Sequence, residues 1–181
     1  MGQERVQTNG VTPLDSYKYY LKKALHIWQQ EPQLNATKIA LSLSNLSVIA
    51  GLENDFRKQK LYADSAYAIL SDKFGDRHPH VSRAWERIAK YQCNLRHYRK
   101  AIEATQQALL ANSDQQAKYH QYGNHYVDEV TDKVFMMTSL YRKSKLLEDI
   151  GKQIQNPQLL IVSFQTACRA VSLADHIRKS F

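Results

Sequence analysis

The chain is poor in the parts from which membrane spans, disulfide scaffolds and most catalytic centres are built. No window approaches 18 consecutive apolar residues, so no segment has the length of a membrane-spanning helix. Its only two cysteines, Cys93 and Cys168, lie far apart and have no CxxC partner. That excludes a disulfide framework and a cysteine-based zinc site, and both thiols are expected to pack as small apolar groups. No GxSxG, Walker or GxGxxG sequence occurs, nor an HExxH metal motif. Of seven histidines the densest pair is His78-Pro79-His80, which has no further ligands at metal spacing. The sequence therefore predicts no enzyme activity, no cofactor and no metal.

Anchoring signals are also missing. Gly2 is followed by Val6 where N-myristoylation wants Ser or Thr, and the carboxyl end Lys179-Ser180-Phe181 matches no prenylation box. The opening residues carry no charged-then-apolar export segment, so a cytoplasmic protein without membrane contact is expected. What is present is a 43% apolar fraction, enough for a real core in 181 residues, and a net charge of +8, which favours an acidic partner.

Four prolines and six glycines gather at joints such as Glu31-Pro32, Phe74-Gly75, His78-Pro79 and Asn156-Pro157. Strand signals are weak, and this punctuation reads as helices joined by short loops. Residues 1–11 are polar and aperiodic, a loose arm. Apolar residues at steps of three and four predict helices from Pro13 to about Pro32, then over 34–52, 54–74, 79–95, 98–112, 134–151 and 157–179. Thr12 and either Asp76 or His78 are placed as caps. About seven helices thus form one all-α domain over 12–181, with an irregular insertion near 113–133.

A repeat organises these helices. Ala24-Leu25-x-Ile27, Ala66-Tyr67-x-Ile69 and Ala108-Leu109 recur at 42 residues, and Ala170-Val171-x-Leu173 follows after 62. A period of that length marks a supersecondary unit that buries its apolar face only by stacking on its neighbours. In the best unit Trp85, Ile88, Ala89, Ala101, Thr105 and Ala108, opened by Phe74-Gly75-Asp76-Arg77-His78-Pro79, resemble the tetratricopeptide repeat, specifically the 42-residue variety of kinesin light chains. Leu95 and Arg96 depart from it, lying where that pattern prefers glycine.

The resemblance implies a right-handed superhelical stack of antiparallel helix pairs, in which the first helix of each pair lines a concave groove that receives peptides. Carried across by position, the groove residues are Arg83, Arg87, Lys90 and Asn94 in the best unit. Leu41, Asn45 and Val48, with Ser44, belong to the preceding unit, and Arg142 and Lys145, with Tyr141, to the later one. Arginine suits a carboxylate because its planar fork donates two parallel hydrogen bonds. The expected function is a noncatalytic adaptor or regulatory module that captures an acidic or acidic-hydrophobic peptide. Asn45, Arg83 and Arg87 also match three positions of the carboxylate clamp of chaperone-binding members. Trp85 is assigned to the core, and Tyr119, Tyr122 and Tyr126 to a docking edge. Two other readings stand beside this one: nucleic-acid binding through the Arg/Lys surface from Arg83 to Lys100, and self-assembly through 157–179, whose apolar residues exceed what a terminal helix needs.

Overall fold

The computed structural model describes residues 12–112 and 133–179; the arm 1–11 and Tyr119, Tyr122 and Tyr126 lie outside them. Seven helices and no strand occur among the described residues. Helix α1 (Pro13–Trp28) opens on a capping box, in which Thr12 Oγ1 accepts from the Asp15 N–H and Asp15 accepts from the Thr12 N–H. Pro32 does not end this helix, which stops at Trp28. Pro32 instead begins α2 (Pro32–Leu52), because its fixed φ suits the first helical position.

Helix α3 (Phe56–Phe74) is capped by Asp55, which accepts from the Lys58 N–H at 3.0 Å. Helix α4 (Pro79–Asn94) is capped by His78, whose Nδ1 accepts from the His80 N–H at 3.0 Å. Helices α5 (Tyr98–Ala111), α6 (Lys133–Gln153) and α7 (Pro157–Lys179) complete the order.

The turns after α2, α4 and α6 share one geometry, the first two 42 residues apart and the third 59 residues further on. Asn54, Arg96 and Gln155 each adopt a positive φ, at 59°, 59° and 52°. At each turn the N–H of the next residue returns to a carbonyl five residues back: Asp55 to Ala50, His97 to Gln92, and Asn156 to Gly151, at 2.8 to 2.9 Å. This is the left-handed helix stop for which glycine is preferred, so Arg96 takes at some strain the conformation the repeat pattern reserves for glycine.

Packing follows the pairs. Helix α2 lies most extensively on α3, α4 on α5 and α6 on α7, while α1 joins α2, α3 joins α4 and α5 joins α6. The recurring alanines Ala66, Ala108 and Ala170 are buried, as small residues at helix contacts must be. One serine hydroxyl bonds across each pair: Ser47 to the Gln59 carbonyl, Ser82 to that of Ala108 and Ser163 to that of Ser144. Trp85 packs with Tyr67, ring centroids 4.7 Å apart, against a core of Ala40, Ala66, Leu70, Val81 and Ala84. Cysteine placement needs a correction: Cys93 is half-buried, but Cys168 is exposed.

Candidate functional site

Helices α2 and α4 touch directly, whereas no comparable packing joins α4 to α6. Between α4, α5 and α6 lies a cleft of about 530 Å³. Its floor is Ala89, Cys93, Thr105, Leu146 and Ile150, and its rim carries Lys90, Arg142, Lys145, Glu86 and Asp149. The rim residues of α6 recur at 142, 145 and 149, which sets them on one helical face. Tyr98 closes one end, its hydroxyl donating to Gln153 Oε1.

Of the residues expected at a groove, Lys90, Asn94, Arg142 and Lys145 meet in this cleft. Leu41, Asn45 and Val48 are half-buried on α2 and do not line it, and Arg83 is exposed on α4. Asn94 is committed within the fold, because its Nδ2 donates to Oε1 of the buried Gln59 at 2.9 Å.

The basic face is not uniformly basic. Arg142 pairs with Glu86, which also accepts from the Ser139 hydroxyl at 2.8 Å. Lys145 and Lys152 both pair with Glu148, and these bonds pull its carboxyl down to about 2. Lys90 and Asp149 lie in electrostatic reach of Cys93, with opposite effects on its thiol; burial outweighs both and pushes it up to about 11. The thiol is therefore held protonated at neutral pH and is a poor nucleophile.

Arg87 is a cation set partly inside the fold. It is half-buried, and its Nε has no hydrogen-bond partner among the described residues. Burial lowers the affinity of its guanidinium for a proton; Glu86 opposes this, Arg142 and Arg83 reinforce it, and the Tyr17 phenol of α1 opposes it weakly. Glu86 and Asp149 were not singled out from the sequence. Their signal was present only as the helical spacing of residues 86, 90 and 94 and of 142, 145 and 149.

No group of three or more His, Cys, Asp or Glu side chains converges among the described residues, and no described helix is long and apolar enough to cross a membrane. No family model matches the sequence, and no curated protein matches it.

Proposed function

We propose that this chain is a noncatalytic interaction module, built as a tetratricopeptide-like right-handed superhelix, that captures an acidic or acidic-hydrophobic peptide along the inner side of α2, α4 and α6. The observation that carries this reading is the crowding of cations on α4: the half-buried Arg87 guanidinium, whose Nε has no acceptor among the described residues, lies in electrostatic reach of Arg142 and of the exposed Arg83. Arg87 Nε is itself closed to solvent, so an arriving carboxylate pairs with the exposed Arg83 beside it and relieves that crowding, a charge-assisted contribution of about 1.5 to 3 kcal/mol. The neighbouring cleft, with an apolar floor and a volume of about 530 Å³, has the size and lining of a ligand pocket and accommodates an apolar side chain.

The test is selection of random twelve-residue displayed peptides on the immobilised full chain, with duplex and single-stranded oligonucleotides titrated in parallel at two salt levels. Enrichment of Asp or Glu beside apolar residues is expected. No enrichment, or oligonucleotide binding that collapses with salt, would overturn the reading.

A further inference from the structure

The face of α7 turned away from α5 and α6 is apolar and exposed. Ile161, Phe164 and Val171 are 51%, 70% and 63% exposed, and Cys168 is exposed among them. The opposite side of the helix is occupied, with Ala170 and Leu173 buried against Leu109, Met136 and Leu140.

The exposed residues 161, 164, 168 and 171 follow one another at steps of 3, 4 and 3, the spacing of a coiled-coil seam. Those steps read the same in both directions. An antiparallel pair of such helices is therefore self-complementary: about a dyad midway between positions 164 and 168, Ile161 meets Val171 of the second copy and Phe164 meets its Cys168. An isologous contact needs this property, because one patch must fit itself.

Charge selects the same arrangement. Residues 157–168 carry no charge, whereas Arg169, Asp175, Arg178 and Lys179 follow. A parallel pair sets these groups like against like. The antiparallel pair lays them over the uncharged half and brings Asp175 to the start of the other α7, at Pro157, where the positive end of the helix dipole favours a carboxylate although Asn156 Oδ1 already accepts from the N–H groups of Gln158 and Leu159. Among the described residues Asp175 is held only by an exposed pair with Arg178 at 3.2 Å, a contact too weak to resist exchange.

We propose that the chain associates with a second copy of itself into a twofold dimer through antiparallel α7 helices, with Ile161, Phe164, Cys168 and Val171 forming the seam. No residue of α7 lines the α4–α6 cleft, so this does not depend on the peptide reading.

The experiment is light scattering of the full chain over a dilution series, joined to thiol cross-linking with oxidised glutathione. Mass should rise from one chain to two and stop. Phe164→Glu should stay at one chain with unchanged helical circular dichroism, since the residue is largely exposed. Phe164→Cys should give a covalent dimer through the native Cys168, because that register brings the two within disulfide reach, and the unaltered chain should not. A single chain at every concentration, or a dimer that survives Phe164→Glu, would overturn the proposal. So would growth past two copies, the mark of head-to-tail stacking, or cross-linking of the unaltered chain through Cys168, the mark of a parallel register.

Discussion

Asn94 and Gln59 join consecutive helix pairs through one buried amide contact: Asn94 Nδ2 donates to Gln59 Oε1 at 2.9 Å across the end of α2. Gly51 makes room for it. A Cβ there would stand 2.8 Å from Gln59 Nε2 and 3.2 Å from Asn94 Nδ2. Gln59 is almost wholly buried and cannot swing into solvent, so the amide bond must break or the helices must part.

Gly51→Ala is therefore expected to destabilise the fold by about 1 to 3 kcal/mol, even though alanine is the better helix former. Urea unfolding measures this. Equal or greater stability would mean that the amide pair adapts freely.

Trp85→Ala removes the indole that packs on Tyr67 and the core of α2, α3 and α4. The expected loss is about 3 kcal/mol, toward the lower end for a large aromatic because Trp85 is half-buried. A change below about 1 kcal/mol, judged against that same range, would place the ring outside the core.

Lys143 is fully buried on α6, its ammonium donates to Gln106 Oε1 at 2.8 Å, and burial pushes it down to about 8. The folded chain thus releases this proton near pH 8 while the unfolded chain keeps it until about 10.5. Between those values the unfolded state binds more protons, so this group's contribution to stability rises with pH, by on the order of 3 kcal/mol at most. Other lysines and tyrosines titrate in the same window, and a Lys143→Met variant carries them unchanged. Urea unfolding of both at pH 7.5 and 10 should show the native chain gaining on the variant at the higher pH. A constant difference would mean that the ammonium is not suppressed by burial.

Arg87→Met removes a half-buried guanidinium whose Nε has no acceptor among the described residues. Stability should be unchanged or higher by up to about 1 kcal/mol, because the desolvation cost goes with the guanidinium. A loss of more than about 2 kcal/mol would make Arg87 a structural residue instead of a receptor.

The helices were legible because the starts of α1 to α4 and of α7 carry proline or a capping side chain, while α5, which has neither, was read from the 3.6-residue step of its apolar residues alone. Pro32 misled at one boundary, since the same residue that stops a helix also opens one. The alanine displacements of 42 and 62 residues picked out Ala66, Ala108 and Ala170, which are buried, but also Ala24, which is only half-buried because α1 packs extensively on α2 alone. The basic face was legible as a spacing but not as a charge pattern. Glu86 reaches Arg142, 56 residues on, and Gln59 reaches Asn94, 35 residues on. Neither pairing has a local signal, so only the fold reveals that Arg142 and Asn94 are already engaged. Cys168 was misjudged for the same reason, because apolar character does not say which side of a helix is covered.

The account rests on the α4 face as a reader of negative charge. Fluorescence anisotropy of a selected acidic peptide, titrated with the native chain and with Arg83→Glu/Arg87→Glu at one salt concentration, tests it most directly. A rise in Kd of roughly 30-fold or more, from the lost charge-assisted contact and the two reversed charges, is expected with thermal unfolding essentially unmoved. Equal affinity in the two proteins would contradict it.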